Sequence, residues 1–131
     1  MKITVDTNVV VRAITADEPK QTAIAQAVLR NAEVVAIGTS CLCEVVWVLS
    51  RIYRISPIDI ASAIRRLING ANVVVDWHVV EVGLATLDSG GDFADGAIAF
   101  EGRQLGGETF VSFDKRAVRL LKTTGQEARQ L

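Results

Sequence analysis

Histidine, cysteine and proline are scarce in this chain of 131 residues, which has one His, two Cys and two Pro, and Phe, Trp and Tyr together make up only 5%. Each scarcity excludes something. The only histidine, His78, follows Asp76-Trp77 with no nucleophile motif nearby, so a serine or cysteine hydrolase is disfavoured. Cys41 and Cys43 stand two apart in an apolar segment, on nearly opposite sides of a helix, and read as reduced core fillers rather than a bridge or metal ligands. So few aromatics argue against a base-stacking platform of the single-strand-binding type. An excess of either charge is missing too. The 14 Lys and Arg against 15 Asp and Glu give a net charge of -1, which disfavours a binder driven by gross positive charge. Long apolar runs are also absent, since Val34 to Ser50 carries Glu44 near its middle and is too short and polar to span a bilayer. Asp6 interrupts the amino-terminal MKITVDTNVV where an export signal needs apolar residues. No membrane association and a cytoplasmic location are expected.

What remains is a chain half of whose residues are hydrophobic, enough for one domain over 1–131 to bury a core without disulfides. Short apolar runs alternate with helical patterns. Lys2 to Val5, Val34 to Ile37, Val73 to Val75 and Thr109 to Ser112 read as strands, the first of them buried, and the last residues as an edge strand. Helices are expected after Asp6, Pro19, Thr39 or Ser40, Ser56, Asp76, Asp92 and Asp114, with Ser56 to Asp59 as a capping box. Strands separated by helices, without repeats, indicate an α/β fold with a mostly parallel sheet. Ligands then bind outside the carboxyl ends of the strands.

Acidic residues occupy that edge. Asp6 directly follows the first strand and Asp114 comes two residues after the fourth, each as an N-cap or as a ligand at the sheet edge. Glu44 is the only acid between Glu33 and Asp59, its neighbours Leu42, Cys43, Val45, Val46, Trp47, Val48 and Leu49 offer no solvated face, and burial there would demand a cation or donors as partners. Asp92 and Asp95, at i and i+3, share one face of a helix start, with Asp92 readable as a cap. If Asp6, Glu44, Asp95 and Asp114 converge, each pair about 4 Å apart repels by about 4 kcal/mol at an effective dielectric near 20. A hard divalent cation, Mg²⁺ or Mn²⁺, answers that repulsion and leaves positions for water and phosphate oxygens. Phosphodiester hydrolysis is the implied reaction.

The segments VDTNVVVR at 5–12, TSCLCEVVWVL at 39–49, DFADGAIA at 92–99 and FVSFDKRAV at 110–118 resemble, in order and spacing, the motifs of PIN-domain ribonucleases, most closely the VapC-type toxins of toxin-antitoxin pairs. The resemblance implies a PIN-like three-layer sandwich, with a central sheet of four or five strands flanked by helices. It places the catalytic, metal-binding acids at Asp6, Glu44, Asp95 and Asp114, with Asp92 as a fifth ligand and Asn8 and Ser112 orienting them. It further implies a Mg²⁺-dependent endoribonuclease, inhibition by a small cognate antitoxin, and a homodimer. A catalytically inactive PIN-like binding module and an RNA-processing nuclease without an antitoxin are the alternatives. Gly96 stands where the family often has alanine, and Phe113 where a more polar residue is common.

Positive charge flanks the acids. Lys115, Arg116, Arg119 and Lys122 follow Asp114, and Arg51, Arg54, Arg65 and Arg66 flank the central helices. Arg12, Lys115 and Arg116 are the expected phosphate contacts. Trp47, Ile52, Tyr53, Ile58 and Ile60 form a candidate partner surface. Setting four sequestered acids aside from the 15 leaves 11 against 14 bases, a balance of +3 for the remaining surface.

Overall fold

The computed structural model describes residues 1–131, which divide into two compact units, Met1–Asp76 and Trp77–Leu131. Seven helices and five strands alternate along them, the α/β class that the sequence pattern predicts.

The first unit contains β1 (Lys2–Thr4), α1 (Thr7–Thr15), α2 (Pro19–Asn31), β2 (Val34–Ala36), α3 (Thr39–Arg51), α4 (Pro57–Ile68) and β3 (Val73–Val74). Its sheet has the order β1-β2-β3 and is parallel, with Lys2 opposite Val34 and Thr4 opposite Ala36. The middle strand β2 buries Val35 completely. β1 differs from the buried strand expected of it: Lys2 and Thr4 are exposed and Ile3 half-buried, because β1 has a partner on one side only. Helix α3 buries Leu42, Val45, Val46 and Leu49, the i, i+3, i+4, i+7 stripe of an amphipathic helix. α4 turns Ile60, Ala61, Ile64 and Ile68 inward. Ile60 is therefore core and does not belong to the exposed apolar surface, which keeps Trp47, Ile52 and Ile58. Ser56 caps α4 as predicted, its Oγ accepting the Asp59 N–H at 3.3 Å. The cap of α3 is Gly38, not Thr39 or Ser40, and no side chain bonds there.

The second unit contains α5 (Trp77–Asp88), α6 (Phe93–Gln104), β4 (Phe110–Ser112), α7 (Lys115–Thr123) and β5 (Ala128–Gln130). The five strands thus form parallel sheets of three and two, rather than a single sheet of four or five, because β4 takes the carboxyl-terminal strand β5 as its partner. Ala99, Val118, Leu121 and Ala128, with Phe110 against them, close the core over this ribbon. α5 and α6 approach closely through glycine. A Cβ on Gly83 would sit 2.6 Å from the Phe93 ring, and one on Gly96 would sit 2.3 Å from Thr86 Oγ1 and 2.9 Å from the Val82 carbonyl. Gly96 therefore tightens the start of α6 against α5, and alanine would overpack that contact.

Candidate functional site

In the first unit, β1 and β2 run parallel and in register, so their carboxyl ends lie side by side and the residues just beyond each strand meet at one sheet edge. Asp6 follows β1 and caps α1, its Oδ1 accepting the Val9 N–H at 3.2 Å. α3 starts just beyond β2 and carries Glu44 in its second turn. Thr7 joins the two elements, its hydroxyl donating to Glu44 Oε2 at 2.6 Å. Glu44 is exposed, not buried as its apolar neighbours suggested. The helix phase assigns residues 42, 45, 46 and 49 to the core and leaves 44 and 47 outside, so Trp47 is exposed as well. Cys41, one turn before Glu44, is half-buried beside these acids rather than deep in the core, and no disulfide joins it to Cys43. Burial pushes its thiol up from the usual range, and the charges of Glu44 and Asp6 add to that, against a hydrogen bond from Thr7.

In the second unit, the starts of α6 and α7 carry three acids. Asp92 caps α6, with Oδ1 accepting the Ala94 N–H at 3.1 Å, and Asp114 caps α7, with Oδ1 accepting from Arg116 and Ala117 at 2.9 and 3.1 Å. Ser112 steadies the turn into α7, its Oγ accepting the Asp114 N–H at 3.0 Å. Asp95, at the third position of α6, makes no reciprocal capping bond and is half-buried. Burial, followed by the charges of Asp92 and then Asp114, raises its carboxyl to about 6. A half-buried carboxyl whose proton affinity is raised beside two further carboxylates is a candidate functional group.

Capping does not compete with ligation at these positions. Asp6, Asp92 and Asp114 each use Oδ1 for the cap, and the second oxygen of each takes no part in it. The helix start fixes the carboxylate, and the other oxygen can face a ligand. No three of the chain's His, Cys, Asp and Glu side chains are drawn together closely enough to hold a metal ion as they stand.

The basic residues fall into two kinds. Arg12 is engaged internally: Nε donates to Gln21 Oε1 at 2.6 Å, and Nη1 donates to Asp17 Oδ1 and to the Tyr53 hydroxyl, each at 3.2 Å. Tyr53 in turn donates to Asp17 Oδ2 at 2.7 Å. That hydrogen bond, then one from Thr15 and the Arg12 charge, holds the Asp17 carboxyl below its ordinary range. Arg116 is a strut, its Nη2 donating to the Gly90 carbonyl at 2.8 Å and tying the start of α7 to the loop before α6. Lys115, Arg119 and Lys122 are exposed.

The PIN domain family model matches residues 3–122, almost the whole chain. The chain belongs to the PIN domain family. A comparison with curated proteins returns no match. PIN domains are generally nucleases that use divalent metal ions and bind RNA. The acids of this PIN domain fit such an ion by donor type, since the groups at the two sheet edges are carboxylate oxygens, the ligands a hard cation selects. No helix is long and apolar enough to cross a membrane.

The roles of three residues here escaped the sequence reading. Thr7, between Asp6 and Asn8, orients Glu44, while Asn8 is exposed. The signal was a hydroxyl residue directly after the first acid, at a helix start that faces the next strand's end. Asp17 and Tyr53, which occupy Arg12, lie 36 residues apart and left no signal in spacing.

Proposed function

We propose that this PIN domain is a Mg²⁺-dependent endoribonuclease of the VapC type, working as one nuclease domain over 1–131 in the cytoplasm, with Mn²⁺ as a substitute ion. Asp6, Glu44, Asp95 and Asp114 are its catalytic, metal-binding acids and Asp92 a fifth ligand, with Thr7, Asn8 and Ser112 orienting them. The observation that carries the reading is the half-buried Asp95 beside Asp92 and Asp114: burial first, and then the charges of those two acids, raise its carboxyl to about 6. The bound ion would supply an activated water and charge neutralisation at the phosphodiester. The chain's own part is to hold carboxylate oxygens in place: three helix caps fix Asp6, Asp92 and Asp114, and the Thr7 hydroxyl fixes Glu44. Lys115, Arg116 and Arg12 guide the phosphate backbone toward an otherwise repellent acidic site, Arg12 and Arg116 through what their internal bonds leave over. The exposed Trp47, Ile52 and Ile58 favour a protein partner, a cognate antitoxin or a second copy in a homodimer, over a solitary processing enzyme.

The test is cleavage of total RNA mapped at nucleotide resolution, with Mg²⁺ and with EDTA, by the wild type, Asp6→Asn and Asp95→Asn. Cleavage that needs Mg²⁺ and is lost in both variants, with folding intact by circular dichroism, is the expected outcome. Cleavage in EDTA, or undiminished in the variants, contradicts the assignment, and an inert wild type points to a binding module.

A further inference from the structure

Phe113 is 81% exposed in the turn that delivers Asp114. A single exposed apolar side chain is ordinary on a protein surface, but the backbone on either side of this one is tied down by hydrogen bonds. On one side, the Ser112 carbonyl accepts the Leu131 N–H at 3.0 Å and the Ser112 hydroxyl accepts the Asp114 N–H. On the other, Asp114 Oδ1 is anchored by the first turn of α7. The backbone on both sides of Phe113 is therefore fixed, so little order has to be imposed on it when something binds. Strand alternation continues through the turn: Phe110 and Ser112 are half-buried, whereas Val111 and Phe113 face solvent, and the β4–β5 register sets Arg129 opposite Val111.

We propose that Phe113 stacks on one unpaired nucleobase of the RNA substrate, next to the nucleotide whose phosphate meets the acids. The proposal rests on the nuclease reading above for the substrate class. Adjacent Cα atoms are about 3.8 Å apart, which brings the ring within one nucleotide's length of Asp114. The exposed cations Lys115 and Arg129 on the same turn and ribbon suit the phosphates on either side of a stacked base, and this charge favours RNA over an apolar protein segment. One ring serves one base, so a chain with few aromatics needs no platform. Duplex RNA keeps the faces of its bases covered, so the subsite selects single-stranded substrate.

The experiment uses the full chain and a fluorescein-labelled single-stranded RNA oligonucleotide, with its annealed duplex as a control. Phe113→Ala, Phe113→Leu and Phe113→Trp are compared for KM and kcat, and each is combined with Asp95→Asn to measure RNA binding by anisotropy without turnover. Phe113→Ala is expected to raise KM and to weaken binding by roughly tenfold, the loss of one base–aromatic stack, with kcat within about twofold. Phe113→Trp retains wild-type affinity, and Phe113→Leu, apolar but not aromatic, behaves like Phe113→Ala. Unchanged KM and binding in Phe113→Ala, a Phe113→Leu equal to the wild type, or a change in oligomeric state on size exclusion that accounts for the loss would each overturn the proposal. A wild type that never cleaves RNA, yet loses affinity for it in Phe113→Ala, refutes the nuclease reading and leaves the stacking subsite standing.

Discussion

Replacing Asp95 with Asn should remove RNA cleavage and, in the absence of metal, should make the protein more stable at neutral pH. The two effects have one origin. Asp95 is half-buried beside Asp92 and Asp114, and its carboxyl is raised from 3.8 to about 6, so the metal-free folded state resists ionising it. For an acid whose folded-state value is raised, the contribution to stability is complete below the unfolded value. It is lost as pH rises through the folded one, here between about 4 and about 6. Above that window the wild type carries the full penalty and Asp95→Asn carries none. With about half of the carboxyl open to water, solvent screening brings the difference down to about 1 kcal/mol. Thermal melts in EDTA should show the variant above the wild type at pH 7.5 and level with it near pH 3, below the unfolded value. Added Mg²⁺ should raise the wild type and leave the variant unmoved. Cleavage should fall more than about 100-fold, since a lost ligand removes several kcal/mol of transition-state stabilisation. A variant less stable than the wild type at pH 7.5 in EDTA would show that Asp95 is held by favourable partners and not by repulsion.

Phe93→Ala should cost about 3–5 kcal/mol, a large share of the roughly 5–15 kcal/mol that holds a domain folded. Phe93 is fully buried with its ring against the Gly83 backbone, and it sits between Asp92 and Asp95 at the start of α6. A cavity there loosens the helix start that carries both acids, so cleavage should fall although Phe93 touches no reacting group. The comparison with Phe113→Ala is direct. The same side chain, 20 residues on and 81% exposed, should change stability by no more than about 0.5 kcal/mol. Urea denaturation of the two variants checks both values, and a Phe93→Ala midpoint equal to that of the wild type would contradict this packing.

Local rules made much of this legible in advance. Asp6, Asp92, Asp114 and Ser56 announce their helices because capping depends only on neighbours a few residues away. The alternation of strands and helices survives for the same reason. What escaped depends on phase or on distant partners. Glu44 looked buried because its neighbours are apolar, and only the helix phase shows that 44 and 47 face out while 45 and 46 face in. Gly96, which stands where the family often has alanine, proves to be a contact point, because a Cβ there would meet Thr86 and the Val82 carbonyl on another helix. Arg12 looked wholly free for phosphate, but Asp17, Gln21 and Tyr53, which occupy its Nε and Nη1, reach it from other parts of the chain. The division of five strands into sheets of three and two depends on which strand pairs with β4, a long-range choice that local pattern does not encode.

Mn²⁺ binding at pH 7.5, followed by electron paramagnetic resonance, tests most directly whether these carboxylates form a metal-dependent nuclease centre. The wild type should bind the ion, Mg²⁺ should displace it, and Asp6→Asn and Asp95→Asn should each weaken binding by at least about tenfold without loss of helical signal. A wild type that leaves Mn²⁺ free at millimolar concentration, or variants that bind it as tightly as the wild type, would contradict the account.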